Sequence, residues 1–283
     1  MAQHPRHCPL AITGATGKLG GRVAGLLAAR GEHLRLVVRD PTRAPALEGA
    51  EVVVADFIDR PASLAALRGV QTLFMVSAAE AQDRVQQHLN FIDAAVDAGV
   101  ERIVYLSFYA AAPDSTFTLG RDHWATEQHL RAKSVQHVLL RDNLYLDFMA
   151  SLASEDGMIR GPAGDGRLAA VARSDIADAA VRVLTEPGHH DRHVYHLTGP
   201  QSLSLTEVAA TLTEHQDRPV TYLEETLEQA YASRAGYGAP TWQVDAWVST
   251  YTAIAAGELA AVTDDIPRLT GHPATSLAQL LAH

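Results

Sequence analysis

Cysteine is almost absent from this sequence: one residue, Cys8, in 283. A single thiol closes no internal disulfide and, without a Cys-x-x-Cys, builds no thiolate zinc site, so a reducing, cytoplasmic setting is expected. Long apolar runs are missing too. Even Ala253 to Val262 carries Gly257 and Glu258, well short of the roughly 18 uninterrupted apolar residues a membrane helix requires. The first ten residues are basic but run at once into Thr13 and Gly14, so we expect no secretory signal, no membrane association and a soluble protein. Positive charge is scarce, with 23 Lys+Arg against 33 Asp+Glu and a formal net charge of −10, which argues against nucleic acid as a partner.

What remains is an ordinary globular composition, 47% hydrophobic and 20% charged. The length suits one large or two modest domains. Short apolar runs at Pro9 to Thr13, Leu34 to Val38, Val52 to Ala55, Thr72 to Val76, Arg102 to Ser107 and His137 to Leu140 read as buried parallel strands. Helical patterns lie between them at Lys18 to Arg30, Ser63 to Leu67, Arg84 to Ala98 and Asp122 to Ala132, the third closed by Gly99 where a helix C-cap prefers glycine. Such alternation predicts an α/β fold, a Rossmann-like doubly wound parallel sheet. After about Leu144 the rhythm lapses into a Gly/Pro-rich segment, Gly157 to Gly166, and then mainly helical patterns at Ser174 to Glu186, Leu205 to Leu212, Thr226 to Arg234 and Val244 to Ala255. We therefore expect a coenzyme-binding domain over 1–143 and a smaller, mainly helical substrate part over 144–283, from which the strand-like Val194 to Thr198 rejoins the sheet.

Thr13-Gly14-Ala15-Thr16-Gly17-Lys18-Leu19-Gly20 follows the first strand and opens the first helix. Gly14 permits the tight turn, Gly17 lets backbone N–H groups approach a pyrophosphate, and Gly20 allows close helix–strand packing. A dinucleotide is the ligand this pattern fits; a nucleoside-triphosphate loop is excluded because Leu19 stands at the Ser/Thr position and Ile12 at the first glycine. At the end of the second strand come Arg39, Asp40, Pro41 and Arg43. An acidic residue there would accept the ribose 2′-hydroxyl of NAD, whereas arginine would meet the 2′-phosphate of NADP. Asp40, followed by Pro41, is placed as a helix N-cap, leaving Arg39, aided by Arg43, for the phosphate. NADP(H) is favoured, with NAD(H) beside a solvated Arg39 as the alternative.

These motifs, together with Ala55-Asp56, Arg102 to Ser107, His123 to Glu127, Leu140 to Asn143, Ala163 to Gly166, Arg173 to Ala177 and Gly271-His272-Pro273, make the chain resemble the NmrA-like, atypical short-chain dehydrogenases. Within that family it is most similar to the bacterial NAD(P)H:quinone oxidoreductases. The resemblance runs nearly end to end. It implies that Asp56 meets the adenine amino group, that Val76 and Ser77 line the coenzyme at the end of the fourth strand, and that Asn143 lies near the nicotinamide. Independently, Ser77 and Ser107 stand at strand C-terminal ends, where open α/β sheets bind ligands. Asp56 has a second reading as a turn carboxylate, and Asp175, beside Arg173, reads as a helix cap or anchor.

Ordinary short-chain dehydrogenases carry a Tyr and a Lys four residues apart on one helix face, the Lys lowering the Tyr pKa so that the Tyr protonates a developing alkoxide. This chain instead has His123-Trp124-Ala125-Thr126-Glu127, with His123 and Glu127 at the same spacing. They are either a proton-donating pair or a surface pair at a helix start. A weak acid suits a quinone, which spreads the charge of an accepted hydride through its ring and can take its proton from water. The expected reaction is hydride transfer to a quinone or related flat aromatic carbonyl compound. Alternatives are a non-catalytic NADP-sensing regulator and an aromatic polyketide tailoring reductase or NAD(P)H-dependent monooxygenase. Phe108, Tyr109 and Tyr145 stand closest to the expected nicotinamide position and are the candidate substrate contacts. Tyr222, Tyr231, Tyr237, Trp242, Trp247 and Tyr251 form either a clamp for a flat substrate or, as we favour, the core of a small lobe. His189, His190, His193, His196 and Asp191 suggest zinc, but His193 and His196 fall on opposite faces of a strand-like run, so no metal is expected and Pro187 to Asp191 reads as a solvated loop. Oligomeric state is open, a homodimer included.

Overall fold

The computed structural model describes residues 10–216 and 218–282; Cys8 and the first residue of the expected Pro9 strand lie outside them. The first part of the chain runs β1 (Leu10–Thr13), α1 (Lys18–Ala28), β2 (Leu34–Val38), β3 (Ala50–Val54), α2 (Arg60–Leu67), β4 (Thr72–Val76), α3 (Arg84–Asp97), β5 (Arg102–Phe108), α4 (Thr118–Arg131) and β6 (Gln136–Asp142). Then follow β7 (Met158–Gly161), β8 (Arg167–Leu168), α5 (Arg173–Thr185), β9 (Val194–Leu197), β10 (Leu203–Ser204), α6 (Leu205–His215), β11 (Thr221–Glu224), α7 (Leu227–Arg234), α8 (Thr241–Ala255), α9 (Asp265–Thr270) and α10 (Leu277–Leu281).

Seven strands form one sheet in the order β3-β2-β1-β4-β5-β6-β9. The first six follow the doubly wound dinucleotide-binding order, whose direction reverses between β1 and β4. Register there is parallel, Ile12 facing Leu36 on one side and Phe74 on the other. Strands β1 and β5 are buried along their whole length, as continuous apolar runs require when helices cover both faces. The edge strand β3 departs from the buried strand expected at Val52 to Ala55: Val52 and Val54 are 41% and 56% exposed. A parallel edge has a neighbour on one side only, and nothing in the apolar run Val52-Val53-Val54 signals which strand ends a sheet.

The chain divides into two compact units. One comprises the described part of Met1–Ser107, with Ala125–Leu140 and Ala177–Tyr195. Its core holds Ala11, Val37, Leu73, Met75, Phe91, Ile92, Ile103, Tyr105 and Leu139. Helix α3 ends as its sequence dictates, Gly99 taking φ +86° while the Val100 N–H reaches the Ala95 carbonyl. Helix α2 begins at Arg60, three residues before the expected Ser63, because Asp59 caps it by accepting from the Ala62 N–H.

The other unit comprises Phe108–Trp124, Arg141–Ile176 and the described part of His196–His283. The Gly/Pro-rich Gly157 to Gly166 segment is partly a strand here, β7 pairing in parallel with β11, while β8 pairs antiparallel with β10. Its core gathers Phe108, Phe117, Leu146, Met149, Ile159, Leu205, Leu212 and Ile254. Among the described residues no helix is long and apolar enough to cross a membrane.

Candidate functional site

The turn from β1 into α1 carries the glycine pattern. Gly14 adopts φ +66°, the left-handed region glycine tolerates, and its carbonyl accepts the Gly17 N–H at 2.9 Å. A Cβ on Gly20 would stand 2.4 Å from the Gly14 oxygen, whereas one on Gly17 would meet only that oxygen, at 3.3 Å. Gly20 is thus a packing glycine, and Gly17 is exposed. Gly17 is the N-cap of α1 and no side chain caps that helix, nor does any acidic residue occupy its first turn. The Lys18, Leu19 and Gly20 end of the helix accordingly keeps its positive end for an anion. Thr16 flanks the turn, half-buried.

At the end of β2, Asp40 accepts from both the Thr42 N–H at 2.9 Å and the Thr42 hydroxyl at 2.6 Å, capping a short 3₁₀ turn that starts at Pro41. These two bonds, with Arg43 nearby, hold the Asp40 carboxyl below the usual carboxylate range. Arg39 and Arg43 are both exposed. Asp56 follows β3; one of its oxygens accepts from the Ile58 N–H at 3.3 Å, so it makes the turn its sequence allowed. Past β4, the Thr13 hydroxyl oxygen accepts the Val76 N–H at 2.9 Å and donates to the Val76 carbonyl at 3.2 Å. The Cβ position of Gly14 is 3.0 Å from that of Val76. The reversal in strand order therefore brings Gly14, Val76 and Ser77 to neighbouring strand ends in one unit.

Helix α4 starts at Thr118 rather than at Asp122, because the Ser249 hydroxyl accepts the Thr118 N–H from 131 residues away. His123 and Glu127 are consequently not a surface pair at a helix start; both are buried. In the first unit the Glu127 carboxylate accepts the Ser107 hydroxyl at 2.6 Å and lies 4.0 Å from the Arg131 guanidinium. In the second, the His123 ring packs 6.0 Å from that of Phe108, which itself packs 4.9 Å from Phe117. Asn143 is held at both polar atoms: its amide nitrogen donates to the Leu259 carbonyl at 3.0 Å and its oxygen accepts the Leu144 N–H at 2.8 Å.

The three candidate substrate contacts fare differently. Phe108 is core. The Tyr145 ring has the Arg173 guanidinium over it at 4.5 Å. Tyr109 is half-buried and meets His196 edge-to-face at 5.4 Å, and burial pushes its phenol pKa up. The downstream aromatics split: Trp247 packs on Ala230, Val244 and Val248, and Tyr251 lies beneath Arg234. Tyr237, by contrast, is 72% exposed.

Asp175 anchors, as expected, though it ties a segment a hundred residues away, accepting from the Thr275 N–H and hydroxyl. The Pro187 to Asp191 loop needs correcting. His190 is buried against the Tyr195 hydroxyl, and Asp191 pairs at 2.7 Å with the buried Arg102. Arg102 opens β5 as an apparently ordinary strand residue, so sequence gives no sign of this pair. Among the described residues no three His, Cys, Asp or Glu side chains group as metal ligands.

Similarity to known proteins extends these observations. The model of the NmrA-like family matches residues 8–240. The chain is 36% identical to quinone oxidoreductase 2 of Escherichia coli, covering 97% of this chain and 98% of that one. It is 34% identical to the NAD(P)H azoreductase of Xenophilus azovorans, over 95% of both. The crystal structure of the Escherichia coli NADPH-dependent quinone oxidoreductase complexed with NADPH superposes with a TM-score of 0.88 at 35% identity, covering 97% of this chain and 99% of that one.

Proposed function

Since the chain belongs to the NmrA-like family, we propose that it is an NAD(P)H-dependent oxidoreductase that passes hydride to a quinone or a related flat aromatic carbonyl compound. The observation that carries this reading is the pair at the Tyr–Lys positions. Glu127 is buried under Ser107, and no Tyr or Lys occupies the face where a ketone reductase needs its acid. A quinone lowers that demand, because the accepted charge is delocalised before a proton arrives.

The residues fit NADPH. The uncapped start of α1 and the bare Gly17 surface suit a pyrophosphate. Arg39 and Arg43 are exposed at the β2 end while the Asp40 carboxylate is occupied by Thr42, which favours a 2′-phosphate over a ribose hydroxyl. Asp56 would face the adenine, Val76 and Ser77 would line the coenzyme, and Ser107 and Asn143 would support its nicotinamide end through the backbone they fix. When bound, NADPH supplies the hydride from its nicotinamide ring.

The chain's own share is binding, alignment and a hydrogen bond to the acceptor. Tyr109, like any phenol, carries its proton at neutral pH, burial moves its pKa further up, and its ring is steadied by His196. Its hydroxyl is the group we assign to an acceptor oxygen; we assign His123, packed on Phe108, as the proton donor, and Phe108 and Tyr145 as shaping the surroundings. The single cysteine favours the cytoplasm, and the net charge of −10 favours a small planar substrate over nucleic acid. The test is NADPH oxidation followed with a panel of benzoquinones and naphthoquinones. Rapid oxidation with several quinones is expected; coenzyme binding with no quinone accelerating oxidation would overturn the reading.

A further inference from the structure

We infer that His88 is a positioning residue for the coenzyme: with Arg84 it fixes the Ala78 peptide, and so the shape of the Val76–Ala78 strand end. This rests on the proposal that a dinucleotide occupies the crevice beside Gly14.

The Ala78 N–H donates to His88 Nε2 at 2.8 Å, and Arg84 Nε donates to the Ala78 carbonyl at 2.9 Å. Two residues earlier, the Val76 N–H and carbonyl are both bonded to the Thr13 hydroxyl. The peptide groups at both ends of a three-residue segment are therefore held, donor and acceptor alike, by side chains. In a sheet such groups are ordinarily held by a neighbouring strand. Past the C-terminal end of β4 there is no strand pairing to continue, and this is the point where the strand order reverses and open α/β sheets bind ligands.

The tautomer follows from the partners. Because an amide N–H can only donate, Nε2 must accept, so the proton sits on Nδ1, 2.9 Å from the Thr126 hydroxyl on α4. His88 has no exposure, and the rings of Phe57 and Tyr105 meet it edge-on at 6.1 and 5.9 Å. Such burial keeps it from substrate and leaves no room for a solvent role. It also holds the imidazole neutral, with a pKa pushed down to about 3 by burial and then by the Arg84 charge. Burying two polar ring atoms is tolerable only because each has a partner. The arrangement passes from α4 through α3 to the loop that the coenzyme would line, so Thr126 fixes the ring and the ring fixes Ala78.

The experiment is fluorescence titration of the full chain with NADPH, on wild type, His88→Leu, His88→Gln and Thr126→Val, alongside thermal unfolding. His88→Leu removes the acceptor and is expected to weaken NADPH binding about tenfold, while kcat at saturating coenzyme changes less than about threefold. His88→Gln, whose amide can accept from Ala78 and donate to Thr126, restores affinity to within about threefold. A purely structural role would lower the unfolding temperature and leave the affinity of the folded protein unmoved, and a folded His88→Leu binding within twofold of wild type overturns the inference. Should His88→Leu not fold, Thr126→Val decides: weakened binding supports the inference, and unchanged binding overturns it. Wild type that binds no NADPH at all would bring down the coenzyme reading itself, a result distinct from any failure among the variants.

Discussion

The Ser107 hydroxyl donates to the Glu127 carboxylate at 2.6 Å, and neither residue has any exposure. A carboxylate held this way anchors the end of β5 to α4. Glu127→Gln keeps an acceptor for Ser107 and is expected to retain kcat to within about threefold with an unchanged pH–rate profile. Glu127→Ala strands the hydroxyl and is expected to cost roughly 1–3 kcal/mol of stability, read from urea unfolding. Loss of turnover in Glu127→Gln with coenzyme affinity intact would instead make Glu127 the proton partner of His123.

Gly17 and Gly20 separate binding from folding. Gly20→Ala places a methyl 2.4 Å from the Gly14 oxygen and 3.0 Å from that of Thr13; backbone cannot yield cheaply, and a loss of about 1–3 kcal/mol is expected. Gly17→Val meets far less of the fold but covers the surface we propose for the pyrophosphate. Its unfolding midpoint should stay near wild type while NADPH affinity falls more than about tenfold.

Arg39 is the residue we propose to set the preference between coenzymes. With Asp40 engaged by Thr42, Arg39→Ala should weaken NADPH by about 1.5–3 kcal/mol, the range for hydrogen bonds to charged groups. NADH binding should be unchanged, and the NADPH deficit should shrink as ionic strength rises. Equal losses for both coenzymes would assign Arg39 to something other than the 2′-phosphate.

Local signals made the coenzyme half legible. The strand–glycine–helix turn, the Gly99 cap of α3 and the Asp40-Pro41 cap each involve partners within a few residues, and each forms as its residue types demand. What sequence hid is set at long range. The start of α4 depends on Ser249, the burial of Arg102 on Asp191, and the strand in Gly157 to Gly166 on pairing with Thr221–Glu224. At Gly161 a Cβ would lie 2.2 Å from the Tyr251 ring, so a glycine that reads as loop punctuation is a close-packing residue. His88 gave no signal at all, since its partners Ala78 and Thr126 lie 10 and 38 residues away.

His88 also predicts a pH effect on stability. Its folded pKa, about 3, lies below the ordinary value of 6.5, so between those pH values the unfolded chain binds the extra proton. The stabilisation is complete above about pH 6.5 and is lost as pH falls toward 3, at up to about 1.4 kcal/mol per pH unit. Urea midpoints of wild type should therefore drop more steeply from pH 6.5 to 4 than those of His88→Gln. Parallel curves would show that His88 is not buried neutral.

Tyr109 is where substrate chemistry is most exposed to test. Phe108 is committed to the core and Tyr145 to Arg173, whereas Tyr109 is held on one side by His196 and remains half-exposed. Tyr109→Phe keeps the ring and removes the hydroxyl, so kcat/KM for quinones should fall about tenfold through the lost hydrogen bond, with NADPH affinity unchanged. Tyr109→Ala should add a rise in quinone KM, because the flat apolar contact goes too. The raised phenol pKa requires that the wild-type rate show no loss from Tyr109 ionisation below about pH 10. A Tyr109→Phe enzyme with wild-type kcat/KM would move the acceptor's hydrogen bond elsewhere, and His123→Ala measured against the same quinones would then show whether the imidazole supplies it.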